Sequence, residues 1–136
     1  MRVVHLVMSN VFAGIEQHVN ELILEQEKNC EVFLICNSEI SNKFKTNNLI
    51  TIKNFSRRSP LHIFKLLIDI KKMNVDIIHT HGSKTTSIAN IIVKFLRIKH
   101  VSTMHGIKKN TAVYKKPSKT IVVSNIANET INNQGI

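Results

Sequence analysis

Two short stretches of this 136-residue chain each end in histidine and glycine. One is Asp76-Ile77-Ile78-His79-Thr80-His81-Gly82, the other Val101-Ser102-Thr103-Met104-His105-Gly106. Imidazole can donate, accept or carry a proton near neutral pH, so it suits acid–base work, hydroxyl binding and metal ligation. Each histidine pattern follows an apolar run of strand length. In an open parallel sheet, ligands occupy the crevice outside the carboxyl ends of the strands. The two stretches are therefore expected to form two walls of one site.

A third stretch, Asn10-Val11-Phe12-Ala13-Gly14-Ile15-Glu16, reads as a strand-to-helix turn. Glycine there would let a phosphate approach the backbone, and a helix N-terminus supplies amide donors. The stretch is neither G-x-G-x-x-G nor a P-loop, and taken alone it is best read as an ordinary turn. His79 and His81 are expected on opposite faces of their strand, which argues against a two-histidine metal clamp. No carboxylate or thiolate motif completes a zinc site. No G-x-S-x-G elbow positions a serine nucleophile.

The elements that must carry these residues follow from hydrophobic period. Val3 to Met8 is a nearly continuous apolar run, as in a strand buried on both faces. Ile15, Val19, Leu22 and Ile23 recur at helical spacing. Strands are predicted at Val32 to Ile35, Leu49 to Ile52, Val75 to Ile78, Val101 to Thr103 and Ile121 to Val123. Ser59-Pro60 starts a helix with serine at the N-cap and proline at the first helical position, running to about Met73. Its apolar arc is wide, from Leu61 to Ile70, and implies burial on more than one side, with contact to a membrane or second domain as the alternative. A further helix is expected from Ser83 to Leu96, a basic loop from Ile107 to Lys119, and a last helix capped by Ser124 and ending near Gly135. Alternating strands and helices of these lengths predict a single α/β domain with an open parallel sheet of about six strands, in the order 3-2-1-4-5-6, helices on both faces.

Composition bounds the function. The net charge is +10, with lysine far outnumbering arginine, which points to an anionic partner. Nucleic acid is disfavoured, because the basic residues are scattered, aromatic residues are only 5% and no zinc-finger or basic-zipper pattern occurs. Lys108-Lys109 and Lys115-Lys116 read as solvated loop charges. Cys30 and Cys36 bracket one strand and would lie about 20 Å apart, beyond disulfide reach. They are expected to be reduced, in a cytoplasmic protein. The first residues are too short an apolar run for a signal peptide, and no run approaches the ~20 residues that span a bilayer.

The order of these pieces resembles the N-terminal domain of the GT-B glycosyltransferases, specifically family four, a retaining group that includes many lipopolysaccharide and capsule enzymes. Ala13-Gly14-Ile15-Glu16-Gln17-His18-Val19 is similar to that family's Gly-Gly-x-Glu helix entry, with Ala13 in place of the first glycine. Asp76 to His81 matches its Asp-hydrophobic-hydrophobic-His-x-His. Thr103 to Gly106 matches Thr-x-His-Gly, and Ile121 to Ser124 matches a strand ending in serine before a helix. The resemblance covers essentially the whole chain in the right order.

It implies a Rossmann-like domain, the N-terminal half of a GT-B fold, transferring a sugar with retention from a nucleotide-sugar donor (a UDP- or GDP-sugar), with no bound metal and no further cofactor. The acceptor would be a glycan or lipid-linked glycan of surface polysaccharide or lipopolysaccharide. It implies donor-phosphate contact at Ala13 and Gly14, a catalytic His105, and an acceptor side lined by His81, Gly82, Ser83, Thr103 and Gly106. Glu16 is expected to brace its helix. The donor-binding C-terminal domain of the family is absent from residues 1–136, so the chain is expected to be the acceptor-side domain and inactive alone. Lys43, Lys45, Arg57 and Arg58, with the helix start at Pro60, are the expected contact with an anionic membrane, placing the protein peripherally on the inner face of the cytoplasmic membrane. A stand-alone Rossmann-like binding or regulatory domain without catalysis is the alternative reading, and a nucleic-acid-binding domain a weaker one.

Overall fold

The computed structural model describes residues 1–106 and 111–122. Six strands form one parallel sheet: β1 (Arg2–Val7), β2 (Glu31–Asn37), β3 (Leu49–Ile52), β4 (Ile77–His81), β5 (Lys99–Met104) and β6 (Lys119–Val122). Their order is β3-β2-β1-β4-β5-β6, the order expected from the sequence. The order reverses between β1 and β4, which pair with His5 opposite His79. A crevice opens at such a reversal because the chain leaves the two strands toward opposite faces.

Helix α1 (Gly14–Gln26) covers one face. Val19 and Ile23 pack there on Val7, Val32, Leu34 and Cys36. Helices α2 (Pro60–Met73) and α3 (Ser83–Ile92) cover the other. Leu66, Ile70, Ile88 and Ile92 pack there on Val4, Leu6, Ile35 and Ile78. Inward-facing residues alternate between the two layers along β1, so a strand that reads as one apolar run serves both cores. Cys30 and Cys36 are free thiols.

Helix α2 begins as its sequence dictates. Pro60 occupies the first turn, the Ser59 side chain accepts from the His62 amide at 3.4 Å, and Asn74 ends the helix in the left-handed conformation. Its wide apolar arc is only partly covered, contrary to full burial: Leu61 is 79% exposed and Phe64 61%. Helix α3 stops at Ile92, short of Leu96. Lys94 and Phe95 donate to the carbonyls of Ile91 and Ile92, three residues back, so the last turn tightens. A 3₁₀ turn, Ala112–Lys115, interrupts the expected basic loop. The expected helix after Ser124 and the loop residues 107–110 lie outside the described residues.

Candidate functional site

Strand β4 continues past its apolar run through His79, Thr80 and His81, because Thr80 and His81 still pair with Ser102 and Thr103 of β5. That extension carries His81 to the carboxyl edge. Gly82 follows with φ 92° and ψ 170°, a region open essentially to glycine alone, and turns the chain into α3. Its carbonyl accepts from the Thr86 amide at 3.2 Å and the Thr86 hydroxyl at 2.6 Å, while its own amide donates to Thr103 at 3.1 Å. His105 follows β5 directly. His81 Nδ1 and His105 Nε2 are 3.0 Å apart. The two histidine-glycine stretches thus meet at one edge of the sheet.

His79 and His81 do not lie on opposite faces. Residues two apart in a strand share a face, and their rings stack with centroids 4.4 Å apart. His5 of β1 joins them, 4.8 Å from the ring of His79 and 5.3 Å from that of His81. His18, in the second turn of α1, meets the His105 ring edge to face at 5.6 Å. Both nitrogens of His5 are engaged: Nδ1 with His81 Nε2 at 3.0 Å, Nε2 with the Gln26 side-chain oxygen at 2.7 Å. His79 Nε2 meets the Thr103 hydroxyl at 2.7 Å. Thr103, expected on an acceptor wall, is instead buried as a brace for His79.

Burial sets the charge of this stack. Desolvation brings His5 down to about 4 despite its bond to Gln26. Desolvation, then repulsion from His5, His105, His100 and His18, brings His79 down to about 3, and the same effects, led by burial, hold His81 well below the ordinary range. All three are neutral at pH 7, each with one donor and one acceptor nitrogen. His5, His79 and His81 each bring one ring nitrogen within 4.8 Å of the others, a spacing that could hold a metal ion. An ion there would have to displace hydrogen bonds of both His5 and His81, since those two rings already use both nitrogens.

On the opposite side of the crevice, Glu16 braces the start of α1. One carboxylate oxygen accepts from the Ala13 amide at 2.9 Å, and the other accepts from the Ser9 hydroxyl. The Ala13 amide is therefore taken. Gly14 and Ile15 open the helix, where amides have no intrahelical partner. A cleft of about 230 Å³ runs between the two helix starts, lined by Ser9, Ile15, Glu16, His81, Ser83 and Lys84 among others. Gly106 is half-buried beyond His105.

The four basic residues expected on one surface are divided. The Lys45 amide bonds Asn20 and Phe44 packs in the α1 core, so Lys43 and Lys45 flank α1. Arg57 and Arg58 precede α2 on the other face. Arg58 rims an apolar groove of about 410 Å³ between α2 and α3, with Ile63, Phe64, Leu67, Ile91 and Phe95. Sequence reasoning gave no role to His5, Gln26 or His18. The register of β1 against β4 brings His5 in, and the packing of α1 brings the other two.

The fold recurs in solved structures. The lipopolysaccharide outer core galactosyltransferase WaaB, in its apo form, superposes with TM-score 0.80 at 20% identity, over 100% of this chain and 43% of that one. UDP-GlcNAc 2-epimerase from Methanocaldococcus jannaschii gives 0.72 at 17%, over 100% and 43%. A putative UDP-N-acetylglucosamine 2-epimerase from Listeria monocytogenes gives 0.74 at 12%, over 99% and 42%. The chain spans less than half the length of each. No curated protein sequence is matched. Residues 12–136 match the family described as Glycosyltransferase Family 4. That match takes in the α1 entry and both histidine-glycine strand ends, and the chain belongs to this family.

Proposed function

We propose that these residues form the acceptor-side half of a retaining glycosyltransferase that moves a sugar from a UDP- or GDP-sugar to a glycan or lipid-linked acceptor of surface polysaccharide or lipopolysaccharide. The observation that carries the reading is the meeting of His81, Gly82 and His105 at the β1–β4 reversal, opposite the start of α1, in a chain of this family. Gly14 and Ile15 offer amides and the positive end of the helix dipole to the donor diphosphate. Ala13 contributes backbone shape only, its amide being held by Glu16. His105 orients a sugar hydroxyl or answers charge developing at the reacting carbon, and Ser83 and Lys84 line the acceptor path.

One wall of a cleft neither encloses the reactants nor excludes water, so the 136-residue chain on its own is expected to show no sugar transfer. Clear transfer by the purified chain would overturn the division into two halves. In a polypeptide that also carries a donor-binding half, His105→Ala should lower turnover more than donor affinity. Unchanged turnover would remove His105 from the catalytic residues. A lipid-linked acceptor would draw the protein to a membrane surface. Arg57, Arg58 and the apolar groove between α2 and α3 support that reading, with anionic lipid as the occupant suited to the +10 charge.

A further inference from the structure

Three hydrogen bonds join four side chains in series: Gln26 to His5, His5 to His81, and His81 to His105. Each neutral imidazole has one N–H and one bare nitrogen, so fixing the direction of one bond fixes all of them. The Gln26 side-chain oxygen can only accept. His5 Nε2 must then carry the proton, which leaves His5 Nδ1 bare. A bare His5 Nδ1 accepts from His81 Nε2–H, which leaves His81 Nδ1 bare. That nitrogen in turn accepts from His105 Nε2–H. From this geometry we infer that Gln26, at the end of α1, acts as a positioning residue that sets the tautomer of His105 through His5 and His81.

The consequence for His105 is specific. Its Nε2 is committed as a donor to His81, so its lone pair lies on Nδ1. Any group meeting Nδ1 meets an acceptor. On the reading that His105 faces the reacting sugar, that sugar's hydroxyl is the donor in the contact. The tautomer itself is independent of that reading and is measured without any transfer assay. Burial of the His5 and His81 rings makes the arrangement persist at neutral pH, since neither gains a proton that would break the donor–acceptor alternation. The His5 and His81 rings lie nearly parallel, 18° apart, and the His105 ring is tilted by 32° to that of His81, so the three rings follow one another with small changes of plane.

The test is ¹⁵N-histidine NMR of the whole 136-residue chain at pH 7.5, reading long-range couplings within each ring. His5, His81 and His105 should all show a pyrrole-type Nε2 and an imine-type Nδ1. Gln26→Glu, which keeps an acceptor, should preserve that pattern. Gln26→Leu should release His105 into a mixture of tautomers while leaving the dispersion of the amide spectrum intact. All three rings protonated at Nδ1 would mean that the Gln26 amide is reversed and would overturn the assignment. A His105 tautomer unmoved by Gln26→Leu would also overturn it. Equimolar zinc should leave the three patterns unchanged, whereas zinc-dependent shifts at His5 and His81 would replace the chain with a metal centre.

Discussion

The buried imidazoles give the protein an acid sensitivity that can be read residue by residue. His5 titrates at 6.5 when unfolded and at about 4 in the fold. Between those values the unfolded chain binds more protons, so stability falls as pH falls. The contribution is intact above pH 6.5 and is lost progressively down to about pH 4. For His5 alone this amounts to about 3 kcal/mol at 1.36 kcal/mol per unit, and His79 acts in the same direction over a slightly wider window. Urea unfolding at pH 7.5, 5.5 and 4.5 should show midpoints that drop with pH, and His5→Gln should flatten the drop. A flat wild-type profile would contradict burial of the neutral rings. The glycines separate in the same way. At Gly82, with φ 92°, alanine should cost about 1–3 kcal/mol of backbone strain. At Gly14 an added Cβ meets nothing within 4 Å, and alanine should leave the urea midpoint unchanged or slightly raised. The positions of His81 and His105 at one edge were legible from where the apolar runs ended. The shared face of His79 and His81 follows from strand period, since residues two apart point the same way, and the expectation of opposite faces fails on that ground. The His5 and Gln26 contacts were not legible, because they depend on a register between residues 76 apart and on the seating of a helix.

At the scale of elements, helix α2 was the most legible, since serine, proline and a long apolar pattern all act locally. Strand β4 was less so. Its apolar run ends at Ile78, yet the ladder goes on to His81, because backbone pairing with β5 does not depend on side-chain polarity. The polar side chains are accommodated by partners the sequence does not announce: Thr80 meets Thr86 at 3.0 Å and His100 at 2.8 Å beneath α3. Helix α3 is shorter than its pattern implies, because Phe95 and Leu96 keep the helical period after the helix has tightened away. The start of α1 yields a prediction of its own. Glu16 is buried and holds both the Ala13 amide and the Ser9 hydroxyl. Hydrogen bonds to a charged group contribute about 1.5–3 kcal/mol, so Glu16→Ala should lower stability by roughly that amount, and Glu16→Gln by less. Thermal unfolding of the two variants would check the ranking, and equal losses would mean that the contribution is wholly the carboxylate charge, with nothing left for the packing or hydrogen bonding that glutamine retains.

Over the whole molecule, the two faces of the sheet differ in what they leave outside. Beside α1 the surface loop carries Lys43 and Lys45. Ahead of α2 it carries Arg57 and Arg58, and Arg58 lines a groove with Phe64 and Phe95, the latter 71% exposed. Among the described residues no helix is long and apolar enough to cross a membrane, so any lipid contact through them is a surface contact. Basic residues near anionic lipid contribute about 1 kcal/mol each and are screened by salt. Co-sedimentation with phosphatidylserine vesicles should therefore fade with salt and weaken with Arg57→Glu and Arg58→Glu together, whereas Lys43→Glu with Lys45→Glu should do less. Equal indifference to neutral and anionic vesicles would discard the contact. The strand order has one more consequence, for the time at which the crevice comes into being. His5 and His81 are 76 residues apart, and ribosomes add about 5–20 residues per second. For roughly 4–15 seconds of synthesis the first strand is outside with no partner on its β4 side. During that interval Val3, Val4, Leu6 and Val7 form an open apolar edge, the kind of template on which nascent chains aggregate. The pairing of longest sequence range thus leaves its strand half covered for the longest time during translation, and chaperone dependence in vivo should track this pairing rather than the final stability of the sheet.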